Sequence, residues 1–385
     1  MVCAALIAGF AITPVFYRYG RSGSSGVAVA APSSKRPKMV TKNIERQIQR
    51  GLKYLAKAQR ADGSWSNTGG TTYTMAMTSL AGLALLSSGS TAESGPYRKN
   101  VKKALEFVIQ VGEKYQAVNK KDKRILLAQA NAASRPMYGH GYSMLFLAQC
   151  YGMENNKARA KRIKVVLDGA VALTRDAQSK IPAIKAGGGG WTYTPDANTD
   201  EGSVTVTQLQ ALRACRNVGI KVPGKTIDGA VRYLKACQNA DGGICYMFSS
   251  RGQRSQPALS AAAIACFYAA GIYDPKKAGF DEENVDPKSD AMVVKKLLEY
   301  VDKNITVQNA RTSFYLYTQF YNTQAQYMRG GKTWKTFYPQ ISRKFLSLQN
   351  SNGYWDHSSY GSVFATAIAV MILDMPYGYL PIWQR

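Results

Sequence analysis

Few side chains in this 385-residue chain have chemistry to offer. It holds two histidines, and His140 stands between glycines in Tyr138-Gly139-His140-Gly141-Tyr142. An imidazole so placed can take or give a proton near neutral pH. The acidic pair Asp200-Glu201 can supply a proton or orient that imidazole. It can equally cap a helix start and face its dipole, just as His140 can be a hydrogen-bonded structural side chain. Arg254 and Arg311 are candidate anion holders. Tyr73, Tyr138, Tyr142, Trp191, Tyr315 and Tyr360, with the second histidine His357, are candidate walls of a ligand site. Gly187 to Gly190 lack the Lys-Ser/Thr sequel of a phosphate cradle, so they read as a hinge or as close packing. With no Cys-x-x-Cys pair the sequence offers no soft-metal site, and no cofactor is expected.

What must position these residues is a repeat. Gln59, Gly63 and Trp65 return at the same offsets as Gln238, Gly242 and Ile244, and again as Gln349, Gly353 and Trp355. An apolar residue (Leu55, Leu234, Phe345) lies one helical turn before each Gln. From residue 43 onward two kinds of segment alternate. Segments 43–59, 100–118, 158–178, 226–238, 291–303 and 335–348 are charged along one face. Segments 72–88, 139–151, 203–218, 256–270, 311–326 and 361–373 are nearly uncharged and rich in small residues. The first pattern makes an outer helix with one wet side, the second a helix buried all round. The second kind recurs every ~50–65 residues, as an array of α-hairpins requires. The expectation is an all-α (α/α)6 toroid over 43–385, closed by the apolar tail Tyr377 to Trp383. In such a ring the inner-helix starts share one rim. That rim gathers the candidates above into a polar and aromatic collar, where helix N-termini favour anions.

Composition bounds the partners. The net charge of +26 attracts polyanions or an anionic membrane surface, or is simply a solvated exterior. No basic run is interleaved with aromatics, so nucleic acid is not expected. Six cysteines are too irregular for a disulfide framework, although Cys237 and Cys245 flank one repeat turn. Residues 1–42 read as a leader and linker: an apolar run from Val2 to Val15, then the small-x-small site Ala28-Val29-Ala30. Export to the periplasm, envelope or exterior follows from that reading.

The Gln-x3-Gly-x-Trp turns resemble the QW motifs of the terpenoid cyclase and protein prenyltransferase superfamily. The likeness runs through 50–65 and 343–355, holds at 229–244 with Ile244 for Trp, and is degenerate at 169–191. There an insertion separates Gln178 from Gly190-Trp191. The resemblance implies that the Gln caps helix ends and the Trp stacks on it, a device of stability. Squalene-hopene cyclases of this superfamily carry Asp-x-Asp-Asp-Thr at an inner-helix start to deliver a proton. In Thr199-Asp200-Glu201-Gly202-Ser203, Glu201 stands where the central acid lies, but Thr199 and Gly202 replace the other two acids. Prenyltransferase β subunits hold zinc with an Asp-x-Cys pair and a later His. His357 falls where that His would lie, but no Asp-x-Cys precedes it.

The resemblance therefore implies a toroid binding an isoprenoid or similar apolar molecule, with acid-assisted transformation resting on Asp200, Glu201 and His140. Two other classes stay open. One is a polysaccharide lyase or glycosidase acting on an acidic glycan, and the other a non-catalytic binding ring.

Overall fold

A computed structural model describes residues 36–66, 73–129, 135–180, 189–279, 285–286, 289–308 and 314–383. Helix α1 (Lys42–Ala58) shows how the outer layer is made. Ile44, Ile48, Leu52 and Leu55 recur at three- or four-residue spacing and are buried, while the charged remainder faces water. Thr41 caps its start, its Oγ1 accepting the Ile44 N–H at 3.2 Å. Helix α2 (Thr74–Ser87) is the opposite kind: every residue of it is buried. The pair then repeats. Outer helices are α3 (Arg98–Val118), α5 (Lys157–Asp176), α7 (Gly224–Ala236), α10 (Asp290–Asn304) and α12 (Gly331–Leu348). Inner ones are α4 (Pro136–Tyr151), α6 (Gly202–Asn217), α8 (Pro257–Ala269), α11 (Tyr315–Arg329) and α13 (Gly361–Asp374); a short α9 (Pro275–Ala278) lies between α8 and α10.

The inner helices α2, α4, α6, α8, α11 and α13 each pack on the next, and α13 packs back on α2. The ring is closed, and the fold is an (α/α)6 toroid. Small residues permit the close approach of the inner layer. A Cβ on Gly82 of α2 would sit 2.5 Å from the Phe146 ring of α4. The tail covers one end of this barrel. Ile382 donates its N–H to Gln149 Oε1 of α4 at 3.2 Å and lies against residues of α6, α8 and α11.

The repeat turns act as staples between neighbouring hairpins. Gln59 Nε2 donates to Gly63 O of its own turn at 2.9 Å and to Asn100 O of the next outer helix at 3.0 Å. Gln238 does the same to Gly242 and Val293, at 3.0 Å each. Gln178, despite the insertion after it, bonds Gly189 O at 2.8 Å and Thr226 O at 2.9 Å. Gln349 bonds Gly353 O at 2.8 Å and reaches Gln47 O of α1 at 2.9 Å, joining the last repeat to the first. Gly63 is obligatory in this arrangement: its φ is +92°, and a Cβ there would lie 2.4 Å from Lys103 O. Gln349→Ala is expected to lower stability by about 1–3 kcal/mol, because two partly buried carbonyls lose their donor. Urea titration reads this directly, and a change no larger than that of an exposed Gln would refute the staple.

Two sequence expectations shift. The inner helix expected over 311–326 is Tyr315–Arg329, entered through Phe314 in the left-handed region at φ 64°. Cys237 and Cys245 do meet across their turn, Cys245 N–H donating to Cys237 O at 3.0 Å, but as free buried thiols.

Candidate functional site

At the N-terminal ends of the inner helices the ring holds a cavity of ≈ 250 Å³ to which all six contribute. From α2 come Tyr73 at its cap and Ala76, Met77 and Leu80 along its first turns; from α4 come Arg135, Tyr138 and Tyr142. The loops entering α6 and α8 supply Tyr193 and Tyr246, with Ser203, Gln256, Ala258 and Leu259 at the helix starts. Phe314 and Tyr317 enter from α11, Tyr360 and Phe364 from α13. Among the described residues the wall is thus mostly aromatic and aliphatic, with one cation and no carboxylate.

Its rings support one another. Tyr73 meets Tyr360 edge-on at 6.2 Å between centroids, and Tyr360 lies 5.3 Å from Phe364. Tyr138 is 6.0 Å from Tyr193, whose hydroxyl bonds that of Tyr246. The Arg135 guanidinium stands 4.3 Å over the Tyr193 ring, a cation–π contact. Arg135 is solvent-exposed and makes no ion pair among the described residues. Burial pushes the phenols of Tyr138, Tyr246 and Tyr360 up from their ordinary value. They therefore stay protonated and supply no phenolate base.

Glu201 sits behind this wall. It is the N-cap of α6, accepting Ser203 N–H at 2.9 Å and Val204 N–H at 2.5 Å. Ser203 Oγ donates to the same carboxylate at 2.7 Å, and Tyr138 Oη lies 2.5 Å from Ser203 Oγ. A hydrogen-bonded path so runs from the carboxylate to the cavity wall. Burial raises the Glu201 carboxyl above its usual range, while Ser203 and the two backbone N–H groups pull it back.

Several candidates lie elsewhere. His140 is fully buried and turned toward the outer layer: its Nδ1 accepts Leu127 N–H at 3.1 Å and its Nε2 faces Thr174 Oγ1 of α5 at 2.9 Å. Because Thr174 Oγ1 donates to Ala170 O at 2.9 Å, the imidazole is the neutral Nε2–H tautomer. Asp200 is buried and accepts Phe248 N–H at 3.3 Å, outside the cavity. Trp191 is buried too, its indole N–H donating to Thr174 O at 2.7 Å as part of the repeat turn. Arg254 is exposed and off the wall. Tyr315 bonds Val307 O at 2.6 Å and stacks on Phe345 of α12. His357 stands behind Tyr360 at 5.2 Å, its Nδ1 accepting the N–H of Ser359 and Tyr360 at 3.1 and 3.2 Å. Arg311, Gly187 and Gly188 fall outside the described residues. Gly189 is packed closely, since a Cβ there would meet the Tyr233 side chain at 2.6 Å.

The cavity therefore gathers Tyr73, Tyr138, Tyr142 and Tyr360 from the sequence candidates, and Glu201 only at one remove. Arg135, Tyr193, Tyr246, Tyr317, Phe314 and Phe364 escaped the sequence reading. Arg135 directly precedes Pro136, a helix-start signal that marks it as a rim residue. At the starts of α4 and α6 a backbone N–H is already taken: Tyr193 O accepts Met137 N–H at 3.1 Å and Tyr246 O accepts Gly202 N–H at 2.8 Å. Among the described residues no cluster of His, Cys, Asp or Glu is arranged to hold a metal ion.

No protein-family model matches the sequence, and no curated protein does. Solved structures match its shape. A D-mannose isomerase aligns at TM-score 0.60 and 9% identity over 89% of this chain and 99% of its own. The GH76A alpha-1,6-mannanase from Salegentibacter sp. HEL1_6 aligns at TM-score 0.59 and 9% identity, over 86% and 98%. The type II terpene cyclase MstE from Scytonema aligns at TM-score 0.47 and 14% identity, over 88% and 100%. With its closed double ring of helices, this chain is an (α/α)6 toroid, the fold it shares with the isomerase and the mannanase.

Proposed function

We propose that the toroid binds a small, largely apolar molecule of the isoprenoid class in its aromatic cup, with a polar or anionic head at Arg135. One observation carries this reading: six inner helices converge on a cavity of ≈ 250 Å³ whose wall, among the described residues, is mostly rings and aliphatic carbons, with one guanidinium at its edge. Apolar burial supplies the affinity, and the rings suit an unsaturated chain or a cation. Acid-assisted transformation would have to draw its proton from Glu201 through Ser203 and Tyr138. Glu201 stands behind the wall, held at the helix start by Ser203 and two backbone N–H groups, and reaches the cavity only through two hydroxyls, so binding ranks ahead of catalysis.

An acidic glycan is the second reading, favoured by Arg135 among tyrosine hydroxyls and by the mannanase and mannose isomerase that share the fold. Hydrolysis by paired carboxylates ~5–10 Å apart finds no such pair on the described wall. Calorimetric titration with farnesol, farnesyl diphosphate and an oligogalacturonate separates the two. Farnesol is expected to bind with an affinity insensitive to salt. The diphosphate should bind more tightly at low salt, and Arg135→Gln should cost it about tenfold while sparing farnesol. Binding of the oligogalacturonate alone, weakening steeply with salt, would replace the first reading by the second. We also propose that residues 1–42 direct export; an uncleaved and cytoplasmic full-length protein in the native host would refute it.

A further inference from the structure

A second cavity lies at the other end of α6. It has a volume of ≈ 280 Å³ and is walled by Arg213 and Arg216 of α6, Asp228, Arg232 and Lys235 of α7, and Asp290 at the start of α10. Arg213 and Arg216 are three residues apart and so share one helix face. They stand about 15–20 Å along the α6 axis from Ser203 in the aromatic cup. Four cations and two carboxylates thus face one hollow. Asp290 is already engaged by the Lys235 ammonium in an ion pair, which leaves Asp228 as the other acid near three guanidinium groups.

Arg213 sets this hollow apart from a solvated basic surface. Its Nε is buried, and among the described residues it makes no hydrogen bond and neither Arg213 nor Arg216 forms an ion pair. Burial, with the like charge of Arg216 beside it, pushes the Arg213 guanidinium below its usual range. An arginine does not shed its proton to relieve such stress, and a buried N–H left without an acceptor is costly. The negative end of α6 accounts for Arg216 in the last turn, but it gives the Arg213 Nε no partner. A tetrahedral oxyanion would supply acceptors to both arginines at once, in the forked geometry that guanidinium groups favour. A water molecule takes ~30 Å³, so the hollow has room for such an ion with part of its hydration.

We propose that this hollow is an anion site for a phosphate or sulfate group, either the free ion or the terminal group of an ester. The assignment stands apart from the reading of the aromatic cup. It rests on different residues, and the test below does not involve the cup.

Calorimetric titration of the full chain with inorganic phosphate, inorganic sulfate and glucose 6-phosphate tests it. Saturable binding is expected, weakened about tenfold in the pair Arg213→Gln/Arg216→Gln. A matched loss of charge at the exposed pair Lys120→Gln/Lys121→Gln should leave binding unchanged. Arg213→Lys keeps the charge but loses the fork, and should fall between. Tighter binding of glucose 6-phosphate than of phosphate would identify an ester as the occupant, and equal binding the free ion. Equal weakening by both Gln pairs would show a general field effect and overturn the proposal, as would non-saturable heats in the wild type. Should the arginine pair fail to fold, the single change Arg216→Glu at an exposed position carries the same expectation of lost binding.

Discussion

Trp355→Ala is expected to destabilise the protein by about 3–5 kcal/mol, the range for emptying a buried Trp site. Trp355 is 1% exposed. Its indole N–H donates to Phe345 O of α12 at 2.6 Å, and its backbone N–H donates to Thr366 Oγ1 of α13 at 3.1 Å. Its ring faces α1 so closely that a Cβ on Gly51 would lie 2.9 Å from it. One side chain therefore holds the last hairpin and the first helix together at the seam. The substitution removes the ring and leaves an outer-helix carbonyl without a donor. Trp355→Ile should cost less, because Ile244 fills the matching place in the third turn and is fully buried there. Urea unfolding of the two variants checks both the size and the order. Equal losses would mean that apolar bulk at this place contributes nothing, and would overturn the expected order.

The second large effect is one of pH. His140 has an ordinary value of 6.5, which burial lowers to about 4. In the unfolded chain it takes a proton as pH falls through 6.5, whereas the folded protein resists until about 4. Between those values the unfolded state binds more protons, so this group's contribution is whole above 6.5 and is lost progressively on acidification. At ~1.4 kcal/mol per pH unit, the loss amounts to about 3 kcal/mol at the lower end of that window. The structural cause is definite: protonating Nδ1 would set its proton against the Leu127 N–H. Asp374 works in the opposite sense, because burial holds its carboxyl well above its usual range. Comparing the pH dependence of wild type and His140→Gln cancels the Asp374 contribution. The two histidines also offer a direct reading by proton NMR. One imidazole should titrate near 4, and two ordinary midpoints would refute the assignment.

The alternation of helices and the repeat turns were legible because both rest on local rules. A helix charged on one face and a helix apolar all round belong in different layers. A Gly at positive φ, four residues after a Gln and two before a Trp, makes the same turn wherever it occurs. Even the insertion after Gln178 left its two hydrogen bonds intact, since loop length changes neither the acceptor nor the helix end.

The site was legible only to the level of which helix ends form the rim. Within that rim, the sequence by itself determined that Tyr138 and Tyr142 share a face, since residues four apart lie one turn above another. The same spacing puts His140, two residues on, about 200° round the helix, and it meets Thr174 of the outer layer instead of the cavity. Tyr317 faces in and Tyr315 out for the same reason. Only the tertiary structure decided which of the two faces looked inward. It also brought Arg135, Tyr193 and Tyr246 together from the segments that lead into three successive inner helices. Their meeting depends on how successive hairpins pack side by side, and packing between hairpins is a property of the closed ring that no single segment carries.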